Sequence, residues 1–547
     1  MSTLPNAPDS SLLSPADGSA ETIAMHPARP NSNARPHLHA AERALTPSEL
    51  VSERVPVRRT AHALADEKAK RPLRVMKFGG TSVGDANCIA GVVEIIRAAS
   101  LESDVVVVIS AMGGVTNKLI NAAVQSQAGN HPAAAGIFGE LRKQHDLAAQ
   151  ALVRSSVELD QLRQKTDSVL QEGDDLCMET SASGELPLRT RDIISSLGER
   201  LSAPLLAAAL TEHGIPSESI EATEVLVTDD CFGGAEPLMD FTRERCDLRV
   251  RPLLRKGVIP VITGFIGATV EGELTTLGRG GSDYSATILG AAFAADEVII
   301  WTDVDGVLTS DPRMVPGACT IPEISYREAA ELAHYGAKVL HPKTLRPLMH
   351  TSIPLWIRNT FSPEKIGTKV TPEGSLNDGG VKALTAYPEA ALIRVGGPAM
   401  GGVSNVLART FTAIASAQAD VLLILHSSSQ NDVRFVVPAA LAVKTVETLS
   451  REFGENLAGS IGEHITLDST IGIITVVGQN MREVSAIIGR TFNALQRESV
   501  NIIAIAQGSS DCNVSFVVAR KDLKTALTSA HGEFQLGVMD SEEPAAK

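Results

Sequence analysis

The chain has 547 residues, of which 44% are hydrophobic and 21% charged, and its formal net charge is −15. A chain of this length exceeds a single compact core and predicts roughly three or four domains. The acidic balance argues against a nucleic-acid-binding protein, which would present a basic face. It leaves small anionic ligands open, because local Arg and Lys side chains decide their binding.

The six cysteines are scattered and include no C-x-x-C pair. This usage indicates reduced thiols in a cytoplasmic compartment rather than a disulfide framework or a zinc site, and we predict no bound structural metal. No apolar run approaches the roughly 18 residues that a membrane span needs. We therefore expect a cytoplasmic protein with neither a membrane nor a nucleic-acid partner.

Residues 1–72 are rich in Ala, Pro, Ser, Arg and His, and they have little hydrophobic periodicity. Such a composition predicts a disordered N-terminal extension. A transit peptide would be poor in acidic residues, whereas Asp9, Asp17 and Glu21 precede the first basic residue, Arg29. The pattern therefore does not favour a targeting segment.

The first ordered element is a short strand that begins at Leu73 and carries Lys77 near its end. The turn Gly79–Gly80 follows, and a helix begins near Cys88. In open α/β sheets ligands lie beyond the carboxyl ends of strands, and a Lys beside paired glycines is typical of a phosphate site. The alternative is a surface Lys beside a tight turn.

A second strand, residues 104–109, is an unbroken run of apolar and mostly β-branched residues after Asp104. This pattern is typical of a strand that is buried on both faces of a parallel sheet. A second Gly-Gly turn follows, between Ser110 and Thr116, and then helices to about residue 180. Glu199 lies near the predicted start of an Ala/Leu-rich helix, where it either holds a substrate ammonium or only favours the helix dipole.

A glycine-rich stretch, residues 275–285, follows a strand at 258–262 and precedes a helix at 286–295. Its three glycines would let backbone N–H groups approach an anion closely, at the positive end of the next helix. Arg279 adds a planar fork that suits a carboxylate or phosphate. The alternative is a glycine-rich turn with a solvated Arg.

A further buried strand, residues 297–302, ends in polar residues, and Asp303 and Arg313 are candidates for contact with a nucleotide. Lys338 lies near a helix end, and residues 353–359 read as the last strand of this unit. Strands that alternate with helices predict a mostly parallel α/β domain over residues 73–362.

Residues 363–382 read as a linker, because they are rich in Pro, Gly, Lys, Asp and Glu. An internal repeat follows, in which Arg409 and Phe411 recur 81 residues later as Arg490 and Phe492. Each copy reads as a strand, a helix, a strand, a turn and a strand.

This duplication predicts two ferredoxin-like α+β units, residues 383–463 and 464–540. By analogy with other paired units, we expect them to meet sheet edge to sheet edge and to leave small-ligand pockets between them.

The motifs at residues 77–82, 110–117, 276–284, 301–307 and 336–342 look like those of the aspartate kinase family, in the family's order. The resemblance covers about residues 73–535, and the duplicated units look like the ACT regulatory domains of that family. The tail is most similar to the kinase half of the bifunctional aspartokinase–homoserine dehydrogenases. No G-x-G-x-x-G pattern follows residue 400, so we expect an enzyme with the kinase activity alone.

The resemblance implies that ATP and L-aspartate give 4-phospho-L-aspartate and ADP with Mg²⁺, the first step of lysine, threonine and methionine biosynthesis. It implies a catalytic role for Lys77, Asp283 and Lys338. The implied ATP-binding residues are Lys77, Phe78, Gly79, Gly80, Thr302, Asp303, Leu308, Arg313, Lys338 and Val339. The implied aspartate-binding residues are Ser110, Thr116, Glu199, Arg279, Gly280, Gly281 and Ser282.

The resemblance also implies feedback inhibition by an amino acid, with threonine as the first candidate and lysine as the second, and a homo-oligomer formed through the ACT units. In the bifunctional relatives a Gln before each Ser-rich turn contacts threonine. The second copy keeps it as Gln507, and the first copy has His426. An imidazole offers fewer donors than an amide, so the first site either binds more weakly, responds to pH, or prefers lysine.

Two alternatives stay open. One is an amino acid kinase that acts on glutamate, acetylglutamate or a nucleotide, and the intact motif at 77–81 with the paired ACT units argues against it. The other is a ligand-sensing protein on an inactive kinase scaffold. The joint presence of Lys77, Arg279, Asp283 and Lys338 argues against that second alternative.

Overall fold

The computed structural model describes residues 71–336, 339–375, 380–396, 403–427, 432–454, 464–481, 485–508 and 511–537. Nearly all of the predicted N-terminal extension lies outside these ranges. The described chain forms an eight-stranded sheet with helices on both faces, and then a six-stranded antiparallel sheet. The predicted fold class is therefore confirmed.

The first sheet has the strand order β3-β4-β2-β1-β7-β9-β10-β8. Its strands are β1 (Leu73–Phe78), β2 (Asp104–Ile109), β3 (Ser217–Ile220), β4 (Ile259–Thr263), β7 (Glu297–Thr302), β8 (Glu323–Ser325), β9 (Leu355–Asn359) and β10 (Thr368–Thr371), while β5 (Ile266–Ala268) and β6 (Leu274–Thr276) form a separate hairpin. Six neighbouring strands of this sheet run parallel to one another, namely β3, β4, β2, β1, β7 and β9. Their carboxyl ends therefore meet at one edge of the sheet.

Helices cover both faces of this sheet. They are α1 (Ala86–Glu102), α2 (Val115–Gln127), α3 (His131–Leu152), α4 (Ser156–Ser183), α5 (Leu188–Glu212), α6 (Met239–Arg249), α7 (Arg251–Arg255), α8 (Gly281–Phe293), α9 (Tyr326–His334) and α10 (Pro342–Leu345). One core joins alternate strand residues to α1, α2, α3 and α5, and a second core joins the other strand residues to α8 and α9. The predicted helices between residues 118 and 180 are confirmed.

Helix α5 is long and apolar enough to cross a membrane by length and composition, but 83% of its most apolar window is buried inside the fold. It is thus the core helix of the kinase-like half. It begins at Leu188, well before the predicted start, so Glu199 lies in the middle of the helix. The interpretation of Glu199 as a first-turn residue that favours the helix dipole is therefore wrong.

The predicted linker, residues 363–382, contains a strand of the first sheet. Strand β10 runs antiparallel to β9 and parallel to β8, and Thr368 and Val370 are fully buried. Residues 355–359 are therefore not the last strand of this unit. The short Thr-Lys-Val-Thr run alternates as a half-buried strand should, but the Pro and Gly residues on either side hide the pattern.

The second sheet has the order β12-β13-β11-β14-β16-β15. Its strands are β11 (Val381–Gly396), β12 (Leu423–Ser427), β13 (Asp432–Pro438), β14 (Ile465–Gly478), β15 (Ile502–Gln507) and β16 (Asn513–Ala519), and its helices are α11 (Val403–Ala417), α12 (Ala439–Phe453), α13 (Ser485–Arg497) and α14 (Leu523–Glu533). The duplication is thus present in the fold. Each copy also has a second helix, α12 or α14, that the sequence pattern did not predict.

The two units of the second sheet exchange strand halves. Residues 390–395 of β11 pair with both β13 and the first half of β14, which completes the first unit. Residues 381–387 of β11 pair with the second half of β14, which itself pairs with β16, and so complete the second unit. The predicted boundaries 383–463 and 464–540 describe two consecutive segments, and the fold does not follow them. The fourth strand of the second unit, residues 381–387, precedes the first unit in sequence.

The repeat preserves a contact between the two helices of each unit. Arg409 Nε lies 2.8 Å from Glu452 Oε1, and Arg490 Nε lies 3.1 Å from Glu533 Oε1. Each guanidinium also stacks on a phenylalanine ring, at 4.5 Å in the first unit and 4.6 Å in the second. The recurring Arg that revealed the repeat therefore has a packing role in both copies.

Buried polar contacts join the second sheet to the first domain. Lys382 Nζ in β11 lies 3.4 Å from Glu328 Oε2 in α9, and the two side chains are 5% and 0% exposed. Nearby, the Thr385 hydroxyl donates to the carbonyl of Tyr335 at 3.1 Å. Helix α9 is thus fixed to the strand that both regulatory-type units share.

We expect Lys382→Met to lower the free energy of unfolding by about 3 kcal/mol, because removing one partner leaves a buried carboxylate uncompensated. Lys365→Met is the matched control. Lys365 pairs with Asp305, and the two side chains are 52% and 33% exposed. This ion pair should therefore contribute less than about 1 kcal/mol to the free energy of unfolding. Urea unfolding followed by circular dichroism measures both changes. Equal effects of the two substitutions would contradict the assignment.

Candidate active site

A cavity of about 840 Å³ lies at the carboxyl ends of β1, β2 and β7, where helices α2 and α8 begin. Of the residues predicted to bind substrates, the cavity brings together Lys77, Gly79, Gly80, Ser110, Thr116, Glu199, Arg279, Gly280, Gly281, Ser282, Asp283, Thr302 and Asp303. In sequence these residues lie in four separate motifs and, for Glu199, in a fifth segment. The parallel sheet collects them at one edge, as expected for open α/β folds.

An ion pair joins the two sides of this cavity. Lys77 Nζ at the end of β1 lies 2.5 Å from Asp283 Oδ1 in the first turn of α8, and the side chains are only 9% and 17% exposed. A half-buried carboxylate at this position fixes the ammonium of Lys77 at the cavity wall. The ammonium has three donors, so it can also contact an anion in the cavity.

Glycines bring the backbone close to the cavity from two directions. A Cβ on Gly80 would lie 3.0 Å from the carbonyl oxygen of Ala111, so only glycine lets the first turn pack against the second. Gly280 precedes α8 with φ +72°, a left-handed conformation that favours glycine. Helix N-termini attract anions because their first N–H groups are free and the dipole is positive there. The cavity is therefore suited to negatively charged groups.

Glu199 is buried in the middle of α5, at 3% exposure. The adjacent Gly198 lets α5 approach closely, since a Cβ there would lie 2.5 Å from the Cβ of Ala111. Burial raises the pKa of Glu199 to about 8, although Lys77 and the Ser282 hydroxyl partly offset it. Among the described residues its Oε2 has no hydrogen-bond partner. Glu199 therefore lacks the donor that a bound ammonium group would supply.

Arg279 lies in the loop between β6 and α8, where its exposed side chain lines the cavity. No ion pair within 4 Å involves it among the described residues. The cavity wall thus carries both an unpaired cation and an unsatisfied buried carboxyl group, a suitable combination for a zwitterionic amino acid.

Asp192 also lines the cavity, and it was not among the residues predicted from sequence. Its carboxylate accepts from the amide of Gly233 at 2.8 Å and from the amide and hydroxyl of Thr276 at 2.9 and 2.8 Å. Burial raises the pKa of Asp192. Because it anchors the loop that carries Arg279, Asp192 positions that side chain. Its spacing of seven residues from Glu199, two helical turns, is the signal that could have revealed it.

Several predicted nucleotide-binding residues do not line the cavity. The ring of Phe78 is fully buried and stacks on Trp301 with centroids 6.1 Å apart, so only its backbone is near a ligand. Arg313 is 74% exposed and pairs with Asp311 at 2.6 Å. Leu308 is half-buried, and Val339 packs against the core. Lys338 lies outside the described residues.

His426 and Gln507 occupy matching positions near the ends of the two edge strands of the second sheet, β12 and β15. The Gln507 side chain is exposed. The placement is consistent with the repeat, but it does not test a role for either residue.

No group of three or more His, Cys, Asp or Glu side chains among the described residues is arranged to hold a metal ion. Asp283 and Asp303 are carboxylates that line the cavity. Such a set fits Mg²⁺ carried mainly by substrate phosphates and water, which is how Mg²⁺ usually binds in kinases.

Comparison with protein families matches residues 72–359 to the amino acid kinase family and residues 393–453 and 474–534 to the ACT domain. Because the first match spans more than half of the chain, the chain belongs to the amino acid kinase family.

Relatives narrow this class to the aspartokinases. The chain is 30% identical to aspartokinase 1, chloroplastic, of Arabidopsis thaliana, over 84% of this chain and 80% of the relative. It is 32% identical to the bifunctional aspartokinase/homoserine dehydrogenase of Haemophilus influenzae, over 84% of this chain and 56% of the relative. The chain therefore spans about half the length of the bifunctional relatives.

A solved relative has the same fold. Aspartokinase III of E. coli in complex with aspartate and ADP, described as the R-state, is 28% identical and matches with a TM-score of 0.72 over 85% of this chain and all of that chain. The same enzyme in complex with lysine and aspartate, described as the T-state, matches with a TM-score of 0.69 over 84% of this chain and 99% of that chain.

We expect the free energy of unfolding of the Glu199→Gln variant to rise relative to that of the wild type as pH rises. The folded pKa of about 8 exceeds the ordinary value of 4.5, so the native state holds a proton that the unfolded state releases. Wild-type stability should therefore fall between about pH 5 and pH 8, by about 3 kcal/mol more than that of the variant.

Thermal unfolding of the ligand-free protein at pH 5 and pH 8 measures this difference. Glu179→Gln, at an exposed position of α4, serves as control and should change little with pH. A pH-independent difference between wild type and Glu199→Gln would contradict a neutral Glu199.

Proposed function

We propose that the protein transfers the terminal phosphoryl group of ATP to the side-chain carboxylate of L-aspartate and releases ADP. The observation that carries this proposal is one cavity that holds the Lys77–Asp283 pair, the unpaired Arg279 and the unsatisfied Glu199. The ligands of E. coli aspartokinase III, aspartate and ADP, support the same substrates here. Six free thiols support a reducing compartment such as the cytoplasm.

Aspartate is bound through its α-carboxylate and its α-ammonium group. Arg279 takes the α-carboxylate with its guanidinium fork, and Glu199 takes the ammonium. The ammonium supplies the donor that Glu199 Oε2 lacks and favours the ionised carboxylate, so substrate binding lowers the pKa of Glu199 from about 8. The amides of residues 280–282 and the hydroxyl of Ser282, with Ser110 and Thr116, complete this half of the cavity.

The reacting side chain of aspartate needs no general base, because a carboxylate with an ordinary pKa near 4 is already ionised at neutral pH. It needs to approach a polyphosphate of the same sign. Lys77 neutralises charge on the transferring phosphoryl group, while Asp283 holds the Lys77 ammonium in place. The Gly79–Gly80 turn and the N-terminus of α8 present backbone N–H groups to the phosphates. Catalysis is thus orientation and charge neutralisation.

The nucleotide lies toward Thr302 and Asp303, at the end of β7 on the cavity wall. In the same proposal the nucleotide also contacts segments that follow β7 in sequence, at Leu308, Arg313, Lys338 and Val339. Of these, Arg313 would have to exchange its ion pair with Asp311 for a phosphate. Mg²⁺ would accompany the nucleotide and neutralise its phosphate charge, with Asp283 and Asp303 as the nearby carboxylates.

The second sheet has no part in this chemistry, and we infer that it binds an amino-acid effector, with threonine the first candidate and lysine the second. The lysine-bound T-state of E. coli aspartokinase III supports a role of this kind. The exposed edge strands β12 and β15 would support a homo-oligomer formed through the ACT units, since unpaired edges favour association. The buried contacts of α9 with β11 would carry the effect to the kinase domain.

Lys77→Ala should lower kcat for aspartate-dependent ADP formation by about 100-fold or more, because it removes charge neutralisation in the transition state. Lys143→Ala, at an exposed position of α3, should have normal activity. A coupled ADP assay with aspartate, glutamate and acetylglutamate as acceptors measures the effect and the substrate class together. Near-normal kcat in Lys77→Ala would refute the phosphate role.

Arg279→Lys should raise KM for aspartate by about tenfold and leave KM for ATP nearly unchanged, because the charge remains but the bidentate fork is lost. Arg142→Lys on α3 is the control for a general effect of the substitution. Steady-state kinetics with each substrate varied in turn measures both constants. If KM for ATP rose instead, the division of the cavity between the two substrates would be wrong.

Gln507→Ala should relieve inhibition by threonine and preserve the uninhibited kcat, while His426→Gln should strengthen inhibition. The reason is that an effector inhibits only by binding one conformation better than the other, usually by about 1–3 kcal/mol. Inhibition curves with threonine, lysine and methionine added singly measure this. Inhibition by lysine alone would refute the threonine assignment, and a lack of any amino-acid effect would refute the regulatory role.

A further inference from the structure

The sheet of the kinase domain is covered unequally on its two faces. On one face Val298, Ile300, Leu355 and Ile357 of β7 and β9 are at most 1% exposed, beneath α8 and its neighbours. On the other face, the same two strands and α1 enclose an open groove of about 810 Å³. We name this cavity the β7–β9 groove. No described helix closes it, which is unusual for parallel strands.

The floor of the β7–β9 groove is apolar and aromatic. Trp301 and Trp356 lie diagonally on neighbouring strands, with Ile299 beside Trp356, and Met76 lies on the adjacent strand β1. Ile95 and Ala98 of α1 form one wall. At the edge Ile366 is 69% exposed. The groove is therefore large and apolar enough to bury the body of a small organic molecule.

Two side chains of the groove keep an unpaired donor, although Arg358 Nη2 donates to the carbonyl of Lys365 at 3.4 Å. The guanidinium of Arg358 lies over the Trp301 ring, 5.2 Å from its centroid. Among the described residues no carboxylate pairs with Arg358, and its Nε is buried without a hydrogen-bond partner. Trp301 Nε1, on a side chain that is 3% exposed, also lacks a partner. Burial lowers the pKa of Arg358, and the negative charge of Glu297 only partly offsets this effect.

The other charged side chains of the groove already form ion pairs, and the carboxylates among them would repel a highly charged anion. Arg74 pairs with Glu297 at 2.5 Å and with Glu102 at 3.6 Å, and Glu94 pairs with Arg97. Three carboxylates line the groove against two guanidinium groups. Such a balance disfavours a phosphate dianion and tolerates a single carboxylate that contacts Arg358.

We propose that the β7–β9 groove binds a small organic carboxylate with an apolar body, a site separate from the catalytic cavity. The carboxylate accepts from the guanidinium of Arg358, and the body packs on Trp356 and the aliphatic wall of α1. Arginine forms strong hydrogen bonds to carboxylates, and its stacking on an indole ring fixes the guanidinium plane. This inference does not depend on the proposed kinase reaction.

The groove contacts the phosphate turn through the backbone. The carbonyl of Trp301 accepts from the amide of Gly79 at 3.1 Å, on the cavity side of β7. Ser82, which follows that turn, shares a 2.7 Å hydrogen bond with Thr360, a groove residue. A test of the groove must therefore separate its own ligand from ligands of the catalytic cavity.

Tryptophan fluorescence reports on this groove, because the chain contains two tryptophans and both line it. We expect octanoate to change the emission saturably. Arg358→Gln should weaken the apparent affinity by about tenfold or more, since a hydrogen bond to a charged group is lost. Arg142→Gln on α3 should behave as wild type.

A second variant separates loss of the site from loss of the fold. Gly91 lies on the α1 wall, and a Cβ there would meet no atom within 4 Å. Gly91→Phe should fill the groove and abolish the octanoate response while thermal stability is kept. Arg279→Lys, which alters the catalytic cavity, should keep the octanoate response.

Four results would overturn the proposal. They are an equal response to octan-1-ol, which shares the apolar body but not the charge; an unchanged affinity in Arg358→Gln; loss of the response in Arg279→Lys; and an emission that depends on protein concentration rather than on octanoate. The last would mean that a second copy of the chain covers the groove.

Discussion

The ion pair between Lys77 and Asp283 connects the first strand of the kinase sheet to the first turn of α8, and the catalytic cavity is built around it. A charged pair this close to the interior is stable only where further polar groups surround it. The glycine turns and helix N-termini provide such groups, and they leave the cavity electrostatically incomplete. Arg279 has no counter-ion among the described residues, and Glu199 has no donor for one oxygen. The proposed substrates, an amino acid and a polyphosphate, would supply what the cavity lacks.

Much of this arrangement could be predicted from sequence, because the cavity motifs each follow a strand and contain glycine, and most of them also carry charged residues. Parallel strands then bring such ends together without further information. Glu199 was harder to interpret. The segment before it is polar, so the start of α5 was placed too late and the residue was assigned to the wrong part of the helix. Asp192 was missed because its partners, Gly233 and Thr276, come close only in the fold.

The junction between the two halves was also misread, again for a reason of tertiary structure. Strand β10 is four residues long between Pro- and Gly-rich segments, and its partners β8 and β9 stabilise it more than its own sequence does. The repeat, in contrast, was visible because it preserves whole contacts. Arg409 and Arg490 each bind a glutamate and stack on a phenylalanine in their own unit. Contacts that recur at a fixed spacing leave a pattern in sequence, whereas single long-range contacts do not.

The shared strand β11 has a consequence for how the regulatory half is made. Its first half, residues 381–387, belongs to the second unit, but the whole first unit is synthesised before its partner in β14. During synthesis residues 381–387, which include the buried Leu384, stay unpaired while the first unit, which follows them in sequence, folds. The first unit is in effect an insertion within the second. The order of assembly is therefore nested: the inner unit can close early, and the outer unit closes only after β14 and β16 have been synthesised.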